Sequence, residues 1–452
     1  MKPLCRSRSC LKIFVSLVGG EIKVASSQIR PADSGRCVVL VQAPNREKWQ
    51  VDSISMTSNI LIVEAGANDR YGHSPVMFAL LANALSDEGV PVTALTRNGW
   101  ALEGQIEQRF ELRTFGAIER AVWNSVSALK RMRPASFWQP MSVALRTVIT
   151  VLAARRVRRA LGRDDTDVIL VSNALEPFVA ATLAGRGRWL LCRFQPPRVV
   201  EPRGLDRLLA RLARSNEQRR RALGGALRIA VSSGPLREEY DAAMHWLEPV
   251  QLMFIPCSET IARPSSRSNL GIAPDERVAL LFGSGHRGKD HPTVFEAFEH
   301  LPEWRLVIAG GASASEYRRW RDQRGPAQDT TPPLLLDGFT SEETKAELYA
   351  SADLVVLSFR ADHSMDSGGL VEAVSWGRPV VCSDSVYAGK LVQQLELGTI
   401  FPSGNVEGLV AAVRSAPLTL NDATIEGARD EMSPRRMARQ HLAALGRLTE
   451  SN

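Results

Sequence analysis

Apolar residues fall along this chain in short unbroken runs, separated by stretches in which they recur every three or four positions. NILIVEAG (59–66), VPVTALT (90–96), DVILVS (167–172), WLLCRF (189–194), RIAVSS (228–233) and MFIP (253–256) are runs of the first kind. Successive apolar residues over such lengths predict strands buried on both faces, the pattern of parallel sheets. Between the first two runs lies SPVMFALLANALSDEG (74–89), whose apolar residues have helical spacing. Strand, glycine-containing loop, helix and strand make a βαβ unit with a right-handed crossover. A second series begins at VALLFGSG (278–285) and runs through RLVIAGG (305–311), PLLLDGF (333–339), ADLVVLSF (352–359) and RPVVCSD (378–384), again with helical segments between. The fold class predicted is α/β, with two Rossmann-like, doubly wound parallel-sheet domains in tandem.

Length agrees with two cores, because a single core stops growing near roughly 250–300 residues and the chain has 452. CSETIARPSSRSNLGIAPD (257–275) is rich in Ser, Pro and Arg and reads as the connection between domains. The domains expected are therefore 56–262 and 263–431, with a C-terminal helix over about 432–452 packing back on the first. Residues 1–55 stand apart. They open on a basic stretch with a short apolar run, Ile13 to Val18, interrupted by Ser16, and 25–55 show no periodicity. The expectation there is a disordered leader or an over-extended start, with the folded protein beginning near Met56.

Charge is uneven. Residues 1–262 hold 36 Lys and Arg against 24 Asp and Glu, whereas the remainder holds 20 against 25. A basic first half points to an anionic partner. The helical stretch 118–163 carries Arg155, Arg156, Arg158 and Arg159 beside Val148, Leu152 and Val157, and a second basic stretch includes Arg219, Arg220 and Arg221. That combination suggests peripheral contact with an acidic membrane surface. Nucleic acid is disfavoured, because no interleaved aromatics or recognised motif accompany the arginines. The six cysteines are scattered with no C-x-x-C pair and no histidines at metal-ligand spacing. A reduced, cytoplasmic protein without structural zinc is the reading. No window offers the roughly 18 uninterrupted apolar residues of a spanning helix.

Ligands of open parallel sheets bind beyond the carboxyl ends of the strands, which selects two loops. GSGHRGKD (283–290) follows a strand and supplies Gly283, Arg287 and Lys289 before a helix, a set suited to clamping a diphosphate. It lacks the spacing and terminal Lys-Ser/Thr of a P-loop. In SFRADHSMDSGGLVEAVSWGRPVVCSD (358–384) a polar loop leads to Ser367, Gly368, Gly369 and Leu370 at a helix start, with Glu372 placed in the first turn. Amides at a helix start suit a phosphate, and a following carboxylate suits a ribose diol.

The run from about 278 to 415 resembles the donor domain of retaining GT-B glycosyltransferases, glycosyltransferase family 4 or the group 1 class. The matching segments are the Gly-rich turn with Arg287 and Lys289, DGF (337–339), LYASADLVVLS (348–358), GLVEAVSWGRPVVCSD (369–384) and GTIFPSGNVEGLVAAV (398–413). The resemblance implies GT-B architecture, with two Rossmann-like domains facing across a cleft, the first on the acceptor side. It implies that Arg287 and Lys289 grip the nucleotide diphosphate and act in catalysis, that residues 367–370 meet its phosphates, and that Glu372 binds ribose. Two positions depart from the family. Ser364 stands where a Glu that contacts the donor sugar is usual, flanked by Asp362, His363 and Asp366 as candidate substitutes. After the strand at 167–172 a His is common, and here Ser172 and Asn173 stand instead. Gly66, His73 and Asn173 are candidates for the acceptor side.

The function implied is transfer of a sugar from a nucleotide-sugar donor to a glycan or lipid-linked glycan in cell-surface polysaccharide synthesis, with retention. No cofactor or metal is expected. The protein would be cytoplasmic, or peripheral at the inner face of the membrane. A non-catalytic nucleotide-sugar-binding protein and a nucleotide-sugar epimerase share the architecture and stand as alternatives.

Overall fold

The structure, a computed structural model, describes residues 11–18, 21–28, 59–65, 74–100, 106–132, 135–162, 166–171, 179, 187–193, 214–218, 226–231, 234–243, 248–251, 267–283, 288–311, 313–324, 331–338, 340–363, 367–384 and 387–447. Strands β1 (Leu11–Val18) and β2 (Glu21–Gln28) form an antiparallel hairpin. This part of the first 55 residues is thus regular, whereas the sequence reading expected none.

The first large sheet holds β3 (Ile60–Glu64), β4 (Val92–Thr96), β5 (Glu111–Thr114), β6 (Asp167–Leu170), β7 (Arg188–Arg193), β8 (Ala226–Val231) and β9 (Glu248–Gln251) in the order β5-β4-β3-β6-β7-β8-β9. Every neighbouring pair is parallel. The second holds β10 (Arg277–Phe282), β11 (Trp304–Ala309), β12 (Leu334–Leu336), β13 (Leu354–Leu357), β14 (Val380–Ser383) and β15 (Gly398–Phe401) in the order β12-β11-β10-β13-β14-β15, also parallel throughout. In both sheets the strand order reverses next to the first strand, the switch point at which such sheets bind ligands.

Alternate residues of each strand serve opposite layers. Ile60 and Ile62 join α1 (Ser74–Asp87) and the last helix, α12 (Pro434–Ala444), in one core. Leu61 and Val63 face the other core with α3 (Ala135–Ala160), which packs on α2 (Ala117–Met132). The helical stretch expected at 118–163 is therefore two helices, and Pro134 lies in the sequence between them, where a missing N–H and a ring clash end a helix. Helix α4 (Gly234–Ala243) follows β8. In the second sheet, Leu280 and Val355 pack with α7 (Glu342–Ser351), α8 (Gly368–Ser375) and α9 (Ala388–Gln394). Leu281 and Val356 pack with α5 (His291–Phe298) and α10 (Val406–Ser415). Helices α6 (Ser313–Arg324) and α11 (Asp422–Glu431) complete the described elements.

Helix α3 corrects one expectation. Val157 is 2% exposed and sits in the core, and Arg158 is buried with its Nε donating to the carbonyl of Thr166 at 2.7 Å. Neither can meet a membrane. The exposed line of α3 runs instead through Leu145, Leu152, Arg156 and Arg159, and Arg156 pairs with Glu119 of α2 at 2.9 Å. Arg219, Arg220 and Arg221 lie outside the described residues, as does the strand read at 253–256.

The chain returns to the first sheet at its end. Met437, Ala438, Leu442 and Leu445 fill the core beside α1. Arg228 donates to the carbonyl of Ala444 at 2.6 Å, and Arg447, 4% exposed, donates to Asp167 at 2.7 Å. Asp167 also accepts two hydrogen bonds from Arg188. Replacing Asp167 with Ala strands the buried Arg447 charge, so chemical denaturation of the variant should show a loss of about 3–5 kcal/mol.

Candidate functional site

The second sheet positions its site by stitching two strand ends together. Lys289 forms an antiparallel bridge with Phe359, the Asp290 amide donates to the Ser358 carbonyl at 3.1 Å, and the Arg360 amide to the Gly288 carbonyl at 3.0 Å. The loop leaving β10 is thereby held against the loop leaving β13, the two central strands at the switch point. Gly283 opens the first loop with φ +117, a conformation that side chains other than hydrogen rarely adopt. A Cβ there would lie 2.6 Å from Lys289 Nζ. Glycine therefore makes room for the ammonium, which donates to the Phe282 carbonyl at 3.2 Å. The neighbouring loop presses from behind, since a Cβ on Gly310 would meet the backbone of Gly283 at 2.9 Å.

Lys289 is the electrostatic centre of this arrangement. Burial lowers its pKa to about 8, against the opposing pull of Glu316. Glu316 is itself engaged, its Oε2 lying 2.8 Å from Nδ1 of the buried His291. A half-buried ammonium at the end of a strand is poised to gain from an arriving anion.

Ser367 caps α8, its Oγ accepting from the Leu370 amide at 3.2 Å. The Leu370 N–H is thus already occupied by the cap, which leaves Gly368 and Gly369 as the first-turn donors without helical acceptors. Gly369 also lets the helix approach β13, because a Cβ there would meet the Leu357 side chain at 3.0 Å.

Glu372 differs from its expected place. Helix α8 starts at Gly368, and its first turn holds no acid, so Glu372 belongs to the second turn. Its Oε1 accepts from Lys345 Nζ at 2.8 Å, and Lys345 also reaches Glu342 at 2.6 Å. Burial works against the Lys345 ammonium, but Glu372 and Glu342 outweigh it and hold its pKa above the usual value. One turn on, Tyr349 is fully buried with a hydroxyl that has no hydrogen-bond partner in the structure, and burial and Glu372 together push its pKa well up. Lys345 and Tyr349 were missed in the sequence. Their i, i+4 spacing on α7 was visible, but only the fold shows that this face meets Glu372.

The remaining candidates divide. Asp362 projects outward, 80% exposed, 3.5 Å from Arg360. His363 is buried, stacked on Phe359 with ring centroids 4.4 Å apart and planes 3° from parallel. Its amide closes a turn onto the Arg360 carbonyl at 2.9 Å. Arg287, Ser364, Asp366, Gly66, His73, Ser172 and Asn173 lie outside the described residues. The structure brings together Gly283, Lys289, Gly368, Gly369 and the end of β13, with Glu372 one turn deeper on the same helix.

Known proteins carry the same frame. Residues 262–423 match the family described as "Glycosyl transferases group 1". Sucrose-phosphate synthase from Thermosynechococcus elongatus superposes with a TM-score of 0.61 at 16% identity, over 86% of this chain and 98% of that one. A glycosyltransferase from Rickettsia africae gives 0.60 at 11% identity, over 87% and 99%. Anabaena HepE, solved in complex with UDP and glucose, gives 0.57 at 15%, over 86% and 100%. Comparison with the curated proteins gives no sequence match. The architecture is GT-B, and residues 262–423 are similar to the group 1 glycosyl transferases.

The depressed pKa of Lys289 has a consequence with a definite sign. Only the protonated amine attracts a diphosphate, and below pH 8 it is mostly protonated. Above pH 8 binding must take up a proton, so affinity for a diphosphate should fall towards tenfold per pH unit. Calorimetric titration of inorganic pyrophosphate from pH 7 to 9.5 reads this, and Lys289→Met should bind weakly with a flat profile.

Proposed function

We propose that the protein transfers a glycosyl group from a nucleotide sugar, with a UDP-sugar the first donor to test, to a glycan or lipid-linked acceptor. The observation that carries this is the half-buried Lys289 ammonium, its pKa lowered, held between the ends of β10 and β13, at the switch point of a sheet lying within the group 1 match. Negative charge grows on the departing diphosphate as the glycosidic bond breaks. A desolvated cation and the Gly368 and Gly369 amides oppose that charge without rearranging. Arg287, adjacent in sequence, would add a second cation. Glu372 would accept the ribose hydroxyls, with Lys345 orienting it. In this reading the reaction retains configuration and needs no metal or resident cofactor. Cell-surface polysaccharide synthesis is the setting proposed, on the cytoplasmic side of the membrane. Support for the donor class is that HepE was solved with UDP and that an E. coli trehalose-6-phosphate protein was solved with UDP-2-fluoro glucose.

Ser364, in place of the family's usual Glu, favours a second reading in which the nucleotide sugar binds without turnover. Incubation with a panel of nucleotide sugars and acceptors separates the two. Turnover supports the first reading; binding of UDP-sugars with none supports the second. With turnover in hand, Lys289→Met should lower kcat/KM by about 100-fold or more. Glu372→Ala should act mainly on KM for the donor, and EDTA should leave the rate unchanged.

Peripheral membrane contact is proposed through the outer side of α2 and α3. Ile118 is 80% exposed there, and Val122, Leu145 and Leu152 are exposed beside Arg159. No helix among the described residues is long and apolar enough to cross a membrane. Flotation should recover the protein with acidic liposomes at low salt and not with neutral ones. Ile118→Asp paired with Leu152→Asp should abolish recovery, and equal absence from both liposomes would end the idea.

A further inference from the structure

Two helices of the second sheet bring a cation and a carboxyl group together at its donor edge. Helix α7 follows β12 and α8 follows β13, so both start at the carboxyl ends of parallel strands. Lys345 stands just past the acidic first turn of α7, and Glu372 stands in the second turn of α8, below the Gly368 and Gly369 amides. Lys345 Nζ donates to Glu372 Oε1 at 2.8 Å and lies 2.6 Å from Glu342 Oε2. The Lys345 and Glu372 side chains are 19% and 20% exposed, sheltered but still open to a ligand.

The hydrogen-bond inventory of this pair is incomplete on both sides. Burial opposes the Lys345 charge, but Glu372 and Glu342 outweigh it, so the amine is a full ammonium with three N–H donors. Among the described residues two of those donors are engaged, by Glu372 and Glu342. The Glu372 carboxyl group accepts at Oε1, and no described residue donates to Oε2. Even the Tyr349 hydroxyl, buried on α7 and near enough to feel the Glu372 charge, has no hydrogen-bond partner in the structure. One donor and one acceptor are left over, next to each other and both on charged groups.

That remainder matches a vicinal diol. One hydroxyl can give its hydrogen to Oε2 while the oxygen of its neighbour accepts from the ammonium, and bonds to charged groups are the stronger kind. As an element of stability the pair contributes little, because ion pairs open to water are weak and the outer partner, Glu342, is 82% exposed. A carboxylate acting alone would treat both hydroxyls alike. A carboxylate joined to an ammonium does not.

We infer that Lys345 is a second ribose ligand, donating to one hydroxyl oxygen of the donor nucleotide while Glu372 Oε2 accepts from the adjacent hydroxyl. This rests on the reading of Glu372 as the ribose-binding residue and adds to it a cation from a different helix. The two hydroxyls then have separate partners, and the site rejects a nucleotide that lacks either one.

The test is calorimetric titration of the full chain at pH 7 with UDP, ADP, GDP and CDP, then with the 2′-deoxy and 3′-deoxy forms of the tightest binder and with inorganic pyrophosphate. Wild type should bind each deoxy form about tenfold or more weakly than the parent. Lys345→Met should erase one of these penalties, to within twofold, and keep the other. A lysine that only orients Glu372 would shrink both penalties together, and that result would overturn the inference. Pyrophosphate affinity should stay within twofold of wild type in the variant; its parallel loss would assign Lys345 to the phosphates instead and also overturn it. Wild type decides the matter even if the variant fails to fold, because either deoxy form binding within twofold of the parent ends the idea. Binding of neither nucleotides nor pyrophosphate would overturn this inference and the donor reading together. The expected deoxy pattern without sugar transfer to any acceptor would count against the transferase reading alone, and turnover without deoxy penalties against Lys345 alone.

Discussion

Burying an ammonium at the end of a strand is the constraint around which the second half of this protein is arranged. Lys289 can be held there only because Gly283 has no side chain, because Gly310 lets the next loop close in, and because a bridge to Phe359 fixes the loop's far end. Each accommodation is costly by itself. Left-handed glycines lose more entropy on folding than other residues, and a desolvated amine is pushed towards neutrality. The parallel sheet makes them tolerable, since β10 and β13 sit at its centre with both faces covered. Rigidity inherited from the core is what allows the site to meet a polyanion without rearranging.

The two sheets use the same architecture with different electrostatic settings. In the second, Lys289 is held between the loops leaving β10 and β13, and Glu372 in the second turn of α8 is tied by Lys345. In the first, two guanidiniums lie against one indole, and burial and then Arg97 lower the pKa of Arg146.

How much was legible follows from what each element buries. Strands β3, β4, β6 to β8, β10, β11, β13 and β14 are covered on both faces and announce themselves as apolar runs. Strand β5, Glu-Leu-Arg-Thr, is an edge with none of its four residues buried, and it left no such mark. Strand β9, Glu-Pro-Val-Gln, is likewise an edge, ending two residues before the run that was read as a strand. The loop after β10 and the start of α8 were readable because glycines and cations stand close together in sequence there. Lys345 and Tyr349 were not, since their meaning depends on a helix that meets Glu372 from 27 residues away. The convergence of Arg97, Trp123 and Arg146 spans three elements and has no local signature at all.

The closing segment has a consequence for how the protein is made. Residues 434–447 complete the core of a sheet whose first strand begins at residue 60, and Arg447 seals it through Asp167 and the Asn59 carbonyl. Synthesis is vectorial, so the amino-terminal half leaves the ribosome with one apolar layer lacking its lid. It must wait for the whole second sheet to be translated before that layer closes. Domains usually fold in the order they emerge. Here the later half can finish first, and the earlier half is the one that depends on shelter in the interval.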